Sequence, residues 1–291
     1  MPIPYLIDVH THTQFAAFKD DQDAVIRRAL DAGVWMINVG TQRDTSADAV
    51  ATAERFLEGV YATVGLHPIH TDKSYHDAQE LGIFSHSQEY ENVVGKAGFI
   101  SRAEEFDYEY YKNLASDQKV VGIGECGLDH YRIETHESRI KQEHAFRAQI
   151  ELAQEVKKPL MIHCRSAFED LVKILDSYFM IHNSKPSGII HFFSGTKDDA
   201  RKLLDMGFSF SFGGVITFAR DYDEVVTYTP LDRIVLETDA PYVTPAPFRG
   251  TRNEPLHIQE AAKKIAELKN STLEKIAAQT VVNSRTVFHL I

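Results

Sequence analysis

The chain has 291 residues, of which 43% are hydrophobic and 25% are charged. These proportions are close to those of ordinary globular domains and exclude disordered and fibrous proteins. The length fits either two domains or one large α/β barrel. Lysine and arginine total 31 against 42 aspartates and glutamates, so the net charge is -11. A negative charge repels polyanions at long range and argues against an ordinary module that grips a nucleic-acid backbone.

The sequence predicts a cytoplasmic protein without a membrane partner. Two cysteines, Cys126 and Cys164, are too few for the disulfide framework of a small secreted domain. The N-terminal segment has no basic region, and Asp8 interrupts its apolar run before the core of an export signal develops. Because the sequence contains no run of about 18 uncharged apolar residues, we expect no membrane-spanning helix.

Short runs of β-branched and apolar residues alternate with longer segments of helical periodicity, which is the pattern of βα units around a buried parallel sheet. The predicted strands cover 5–12, 34–40, 61–68, 120–129, 159–164, 188–195, 208–214 and 234–240. The main predicted helices cover 22–32, 45–57, 135–156, 168–179, 197–205, 222–226, 253–268 and the segment from 272 onward. Eight strands are the number of a TIM-type (β/α)8 barrel, and we predict that α/β fold as a single domain over 1–291.

One predicted connection is far longer than the others. The segment 71–118 exceeds an ordinary βα loop and contains two modest helical patterns, near 77–84 and 106–114. It has no Pro/Gly/Ser-rich linker and no internal repeat of the kind that marks a solenoid. We therefore expect an excursion over one rim of the barrel and place no domain boundary there.

Side chains that commonly bind metals fall at the ends of five predicted strands, where a barrel of this type has its active site. These side chains are His10, His12, Glu125, His163, His191 and Asp239. Residues two apart on a strand point the same way, so His10 and His12 can hold one ion. A lone histidine at such a place is usually an ordinary core or surface residue. Six ionisable groups together are costly to bury without a metal, so the set predicts a metal centre.

The mixture of imidazoles and carboxylates suits Zn, Mn, Co or Fe. A shared carboxylate can bridge two ions about 3.5 to 4 Å apart, and Glu125 is the best candidate for that bridge. Such a pair acidifies a shared water and neutralises charge on an attacked phosphoryl or carbonyl oxygen. Asp239 can then orient or deprotonate the water. The predicted catalytic residues are Asp239 and Glu125.

The motifs, taken in order, resemble those of the TatD-type metal-dependent deoxyribonucleases, a family of the wider amidohydrolase barrels. The resemblance spans nearly the whole chain and rests on seven segments: IDVHTH (7–12), VGLHP (64–68), IGECGLD (123–129), IHCR (162–165), HFFSG (191–195), ETDAP (237–241) and RGTRNEP (249–255). It implies hydrolysis of DNA phosphodiester bonds, commonly as a 3′ to 5′ exonuclease. The implied substrate is DNA, as single strands or 3′ ends.

The resemblance also implies two divalent ions per chain, which would be Mg, Mn, Co or Zn. One ion would be surrounded by His10, His12, Glu125 and Asp239. The other would be surrounded by Glu125, His163 and His191. Asp239 would be the general base.

Four further residues are candidates for substrate binding. The resemblance implies that His67 lines the pocket near the metals and that Arg249 holds the substrate phosphate. Arg165 is a similar candidate, because a planar guanidinium matches the geometry of phosphate. Glu254 is a candidate substrate contact, although its surroundings, Asn253 and Pro255, are equally typical of a helix start.

Other functions remain open at this point. The same metals can serve an esterase, an amidohydrolase or an aminoacyl-tRNA deacylase, because barrels reuse one site for many chemistries. A nucleobase deaminase would use one zinc and a separate proton-transferring glutamate, and a metal-stabilised binding protein would have a closed, saturated site. Local Arg165, Arg249 and Arg252, together with the metal cations, can still grip a few phosphates, so the nuclease is favoured.

Overall fold

The computed structural model of the chain describes residues 4–73, 75–76, 99–100, 103–131, 135–182 and 187–290. Within them, eight parallel strands form a closed barrel. The strands are β1 (Leu6–Thr11), β2 (Val34–Val39), β3 (Val60–Val64), β4 (Val120–Asp129), β5 (Leu160–Arg165), β6 (Gly188–Ile190), β7 (Ser209–Phe212) and β8 (Ile234–Leu236). Each strand pairs with the next along the chain, and β8 pairs with β1. The predicted (β/α)8 barrel is confirmed.

Helices connect the strands and cover the barrel. They are α1 (Gln22–Asp31), α2 (Arg43–Glu54), α3 (Tyr108–Ala115), α4 (His136–Val156), α5 (Phe168–His182), α6 (Lys197–Asp205), α7 (Asp223–Tyr228), α8 (Ile258–Leu268) and α9 (Leu273–Phe288). Local sequence sets their ends. Thr196 and Asp199 form a capping box at the start of α6, and Thr135 accepts a hydrogen bond from Ser138 at the start of α4. These caps satisfy backbone amides that the first helical turn leaves without partners.

The hydrophobic core has a large and a smaller cluster of buried side chains. The large cluster joins the barrel strands to the surrounding helices, with Leu6 of β1 and Ile26 of α1 among its members. The smaller one joins Ile7, Met161 and other strand residues to Phe288 of α9. Because the strands are buried on both faces, their sequences are nearly continuous apolar runs, as in other parallel sheets. The core therefore gives the polar strand ends a rigid frame.

Several strands end earlier than predicted. β3 stops at Val64, β6 at Ile190 and β8 at Leu236. His67, His191 and Asp239 consequently lie in the loops that follow these strands. Their backbone amides are still held by the barrel: that of His191 donates to the carbonyl of Ile162 over 2.8 Å, and that of Asp239 donates to the carbonyl of His10 over 2.9 Å. The backbones of His191 and Asp239 are thus fixed by hydrogen bonds to neighbouring strands, although both residues lie beyond the ends of their own strands.

The long connection is described in part. The helical pattern near 77–84 lies outside the described residues, whereas the pattern near 106–114 is found as α3. Tyr75–His76 and Phe99–Ile100 pair as two short antiparallel strands. Among the described residues, none of the helices combines the length and the apolar character needed to cross a membrane.

Candidate active site

The six side chains predicted to bind metal lie together at the C-terminal end of the barrel. These residues and His67 each offer one donor atom, and the donor atoms form three overlapping groups. Within each group, all donor atoms lie within 4.8 Å of one another. The groups are His10, His12 and Asp239; His10, Glu125 and His191; and His67, Glu125 and His163. The shared members, His10 and Glu125, are buried. The convergence of donors from five strands, predicted from the sequence, is therefore present in the structure.

The group formed by His10, His12 and Asp239 follows the end of β1. The Nε2 atoms of the two histidines are 3.1 Å apart, and Oδ1 of Asp239 lies 3.4 Å from Nε2 of His12 and 3.7 Å from Nε2 of His10. Nδ1 of His12 lies 2.7 Å from the carbonyl of Val39. A carbonyl only accepts, so Nδ1 carries the proton and Nε2 presents its lone pair to this group.

Glu125 faces two groups of histidines with its two carboxylate oxygens. Oε2 lies 3.4 Å from Nε2 of His10, whereas Oε1 lies 2.8 Å from Nε2 of His191 and 3.1 Å from Nδ1 of His163. Burial alone would raise the pKa of Glu125, but the imidazoles of His67, His191 and His10 outweigh it and hold that pKa well below its ordinary value. Glu125 is an ionised carboxylate shared between two sets of nitrogen donors.

The path of β4 explains how Glu125 reaches this position. The pairing of β4 with β5 shifts register between Ile123 and Cys126, and Gly124 and Gly127 on either side of Glu125 have φ of 145° and 130°. A Cβ atom at Gly127 would lie 2.0 Å from the carbonyl oxygen of His163. Only glycine combines this backbone conformation with such a close approach. The two glycines therefore bend β4 around Glu125.

Asp129 is a functional candidate that the sequence analysis did not assign. Its Oδ2 lies 2.9 Å from Nε2 of His163. The ionised carboxylate accepts the Nε2 proton, so Nδ1 of His163 presents its lone pair to Glu125. Burial raises the pKa of Asp129, but hydrogen bonding and charge from His163 lower it further than burial raises it. Burial also lowers the pKa of His163, but its hydrogen bond to Asp129 and the negative charges of Asp129 and Glu125 leave it raised.

A second carboxylate supports the neighbouring histidine. Oε2 of Glu237 lies 3.5 Å from Nδ1 of His191 and accepts a 2.5 Å hydrogen bond from the hydroxyl of Ser211. Burial lowers the pKa of His191, but the charges of Glu125 and Glu237 leave it well above its ordinary value. A sequence signal existed for both supporting residues. Asp129 lies four positions after Glu125, and Glu237 lies two before Asp239, spacings that place residues on one face of a strand.

His67 contacts Glu125 as a hydrogen-bond donor. The backbone amide of Ile69 donates to Nδ1 of His67 over 3.1 Å, so Nδ1 is unprotonated and Nε2 carries the proton. Nε2 lies 3.1 Å from Oε1 of Glu125 and donates to it. Burial lowers the pKa of His67 to about 4. His67 is therefore a neutral donor to the shared carboxylate, and its predicted contact with substrate stays a prediction.

The two arginines predicted to bind substrate lie over aromatic rings. The guanidinium of Arg165, the last residue of β5, is 3.7 Å from the ring centroid of Tyr131. That of Arg249, in the loop after β8, is 4.1 Å from the ring centroid of Phe218 and donates to the carbonyl of Thr244 over 3.0 Å. Their roles in phosphate binding stay predictions.

Glu254 is held in an ion network. Its two oxygens each accept a 2.7 Å hydrogen bond from Arg28 of α1, and Oε1 also lies 3.1 Å from Nη2 of Arg252. Arg252 in turn makes two hydrogen bonds to Asp21, of 2.8 and 2.6 Å. These partners favour a structural role for Glu254, which joins α1 to the segment after β8. Arg252, one of the arginines predicted to contact phosphates, belongs to the same network.

The donor set fits a divalent metal ion. His12 and His163 direct unprotonated nitrogens at carboxylate oxygens, and both groups contain further imidazoles. Imidazole with carboxylate is the combination that divalent transition metals favour. Mutually facing lone pairs and anionic oxygens are costly when buried without a cation between them. The residues present therefore support metal dependence.

Known proteins resemble the chain along its length. Residues 7–289 match the family described as TatD related DNase. YabD, a metal-dependent hydrolase of Bacillus subtilis (strain 168), is 38% identical over 288 residues, covering 98% of this chain and 99% of that protein. The 3'-5' ssDNA/RNA exonuclease TatD of Pantoea ananatis is 33% identical over 290 residues, covering 97% of each. The crystal structure of YJJV, a TatD homolog from Escherichia coli k12, has a TM-score of 0.79 and 26% identity, with both chains fully covered. The chain therefore belongs to the family of TatD-related DNases and is a metal-dependent hydrolase acting on phosphoester bonds.

Proposed function

We propose that the chain is a 3′ to 5′ exonuclease of single-stranded DNA that uses two divalent ions, Mg, Mn, Co or Zn, with Asp239 as general base. The observation that carries this proposal is that the two carboxylate oxygens of Glu125 face different histidines. One of its oxygens faces His10 and the other faces His163 and His191. A carboxylate with nitrogen donors on both sides suits a bridge between two ions.

The substrate assignment draws support from relatives. The Pantoea ananatis relative carries the name 3'-5' ssDNA/RNA exonuclease and aligns over 97% of this chain. The chain's own features agree with an enzyme that acts at strand ends. Its net charge of -11 disfavours a long electrostatic groove, whereas an end-acting nuclease needs to hold only a few phosphates. Arg165 and Arg249 are the local cations proposed to hold them.

We propose that Asp239 takes the proton of the attacking water. Its carboxylate is partly exposed, at 17% of the side chain, and faces His10 and His12. Bound divalent ions would acidify a water molecule and neutralise charge on the phosphoryl oxygens. In the reaction proposed, Asp239 accepts a proton from water as the water oxygen attacks phosphorus. The bond from phosphorus to the leaving 3′ oxygen then breaks. That oxygen takes a proton from solvent water, and Asp239 returns its own proton to the solvent.

The supporting residues hold this arrangement in place. His67 donates to Oε1 of Glu125 and so fixes the orientation of the carboxylate. Asp129 keeps the Nε2 proton of His163, and Val39 keeps the Nδ1 proton of His12, so each ring presents the nitrogen that a ligand needs. Positioning of this kind reduces the reorganisation that the reaction would otherwise require.

The proposal is tested with 5′-labelled single-stranded DNA and metal-free protein resupplied with Mg, Mn, Co or Zn. We expect stepwise shortening from the 3′ end that requires both the ion and Asp239. Asp239→Ala and Glu125→Ala should each lower kcat/KM by about a thousandfold or more, because the transition-state stabilisation lost amounts to several kcal/mol. Asp170→Ala, which removes a carboxylate with a 48% exposed side chain beside His130, is the matched control.

A second candidate function is hydrolysis of an ester, an amide or an aminoacyl-tRNA at the same site. The net charge favours it over a nuclease that binds long polyanions. The same assay separates the two, because metal binding without DNA cleavage would exclude the exonuclease and leave these substrates to be tried. Retention of full activity by Asp239→Ala would exclude the mechanism whatever the substrate.

A further inference from the structure

Two of the arginine and aromatic pairs in the described residues, Arg165 with Tyr131 and Arg249 with Phe218, lie at the end of the barrel that carries the site. The guanidinium of Arg165 stacks on the ring of Tyr131, and that of Arg249 stacks on the ring of Phe218, at 3.7 and 4.1 Å from the ring centroids. Tyr131 and Phe218 are each 37% exposed. Both residues therefore keep part of their surface accessible to solvent.

The pair of Tyr131 and Arg165 is joined directly to the site. The backbone amide of Tyr131 donates to Oδ1 of Asp129 over 2.9 Å, and the other oxygen of Asp129 contacts His163. Arg165 is the register partner of Asp129 and lies two residues beyond His163. Only the Asp129 carboxylate separates the Tyr131 backbone from a candidate metal ligand.

The pair of Phe218 and Arg249 lies in the loops that follow β7 and β8. Phe218 follows a 3-10 turn, Gly214–Thr217, that comes after β7, and Arg249 lies in the loop after β8. The hydroxyl of Thr217 accepts a 2.9 Å hydrogen bond from Ala246, which ties these two loops together. The strand β6, which leads into His191, lies between β5 and β7. The two pairs therefore flank the site on either side of His191.

We propose that each pair is a subsite for one nucleotide of the substrate, in which the ring stacks on a base and the guanidinium contacts the adjoining phosphate. This proposal rests on the proposed nuclease function. A partly exposed aromatic ring can stack on a base, and every base offers a face for such stacking. Stacking acts at short range and is independent of net charge, so it gives a protein with a charge of -11 a way to hold a polyanion.

The test removes a base from the substrate, an aromatic ring from the enzyme, or both. The substrates are a single-stranded oligonucleotide with natural bases and the same oligonucleotide with abasic residues at its 3′ end. In the wild-type enzyme we expect the abasic ends to raise KM by about 10-fold or more, since stacking contributes about 1–3 kcal/mol per base. Tyr131→Leu and Phe218→Leu should each raise KM for the natural substrate by a similar factor while leaving kcat within about twofold.

The decisive comparison is the double change. If ring and base act on each other, Tyr131→Leu should raise KM for the abasic substrate by less than about twofold, because the contact is already lost. Tyr131→Phe and Phe218→Tyr keep a ring and should retain wild-type KM. Tyr5→Leu removes a ring of similar exposure, 42%, before β1 at the opposite end of the barrel, and should change nothing.

Two results would overturn the subsites. One is unchanged KM for the natural substrate in both leucine variants, and the other is an equal increase for natural and abasic substrates. If the wild-type enzyme cleaves no oligonucleotide, the nuclease proposal fails separately. Fluorescence anisotropy with the same labelled oligonucleotides, in the Asp239→Asn background, then still measures the ring and base dependence of binding.

Discussion

The carboxylate of Asp129 lies 2.9 Å from Nε2 of His163 and determines which nitrogen of that ring faces Glu125. The two residues lie on neighbouring parallel strands, Asp129 at the end of β4 and His163 two residues before the end of β5. Asp129 thus accepts a hydrogen bond from Nε2 on one side of the ring, while Nδ1 points into the candidate metal centre. Carboxylate partners of this kind orient metal-binding histidines and raise their basicity.

Removing that carboxylate should weaken metal binding. We expect Asp129→Ala to lower the affinity for a divalent ion by about 10- to 100-fold, because His163 loses its fixed tautomer and orientation. Competition with a chromophoric chelator measures this change directly. Asp170→Asn is the control, since Asp170 faces His130 at 3.7 Å and belongs to none of the candidate metal groups found in the described residues. Wild-type affinity in a folded Asp129→Ala protein would contradict the role assigned to Asp129.

Withdrawal of metal should lower the thermal stability of the protein. An ion at 100 times its Kd stabilises the folded state by about 2.7 kcal/mol, because it binds that state alone. For a chain of this size, such an energy corresponds to a rise in Tm of about 5 °C. Differential scanning calorimetry with and without a chelator measures it. Glu125→Gln should show a much smaller shift on metal addition, and an equal shift in both proteins would contradict the role of Glu125.

The ion network around Glu254 should stabilise the fold only above acidic pH. Arg252 lowers the pKa of Asp21, and although burial raises the pKa of Glu254, Arg28 and Arg252 lower it further. For carboxyl groups whose pKa is lowered by folding, the stabilisation is present above their unfolded values, about 4, and is lost as pH falls through the folded values.

Arg28→Met should therefore lower the free energy of unfolding at pH 7 by about 1 to 2 kcal/mol. The loss is no larger because the side chain of Arg28 is 39% exposed, so that water screens its ion pairs. Urea denaturation at pH 7 and near pH 3 measures the difference between the variant and the wild type. We expect that difference to shrink at the lower pH as Glu254 takes up a proton. A difference that does not depend on pH would mean that packing, rather than the ion pair, holds α1 to the segment after β8.

Gly127→Ala should disturb the fold and the metal centre together. A Cβ atom there would lie 2.0 Å from the carbonyl oxygen of His163, and the backbone φ is 130°. We expect a loss of about 2 kcal/mol or more together with weaker metal binding. Gly207→Ala is the matched control, because Gly207 has a φ of 99° but its Cβ would meet nothing within 4 Å. Equal losses in the two variants, measured by urea denaturation, would show that only backbone strain matters at Gly127.

The barrel and the convergence of the metal-type side chains could be predicted because both follow from periodicity. Buried parallel strands leave apolar runs, and the end of each run marks the active face. The strand ends were less predictable. Phe192 and Phe193 continue the apolar run of β6 in sequence, yet β6 ends at Ile190 and the chain turns so that His191 meets Glu125.

Long-range partners could not be predicted from the sequence. Glu254 was a candidate substrate contact, with a helix start as the equally typical interpretation of its segment. Its main partner, Arg28, is 226 residues away in sequence, so nothing local to Glu254 indicated the pairing. The hydrogen bond from His163 to Asp129 likewise depends on the register of two strands, which the pattern of apolar residues does not specify.

The most direct measurement is the anomalous scattering of Mn in crystals of the wild-type protein loaded with that ion. We predict two anomalous peaks, one on each side of the Glu125 carboxylate, the first beside His10, His12 and Asp239 and the second beside His163 and His191. Glu125→Gln, grown under the same conditions, should lose at least one of them. A single peak in the wild-type protein, or two peaks that Glu125 does not touch, would contradict the bridged two-metal centre.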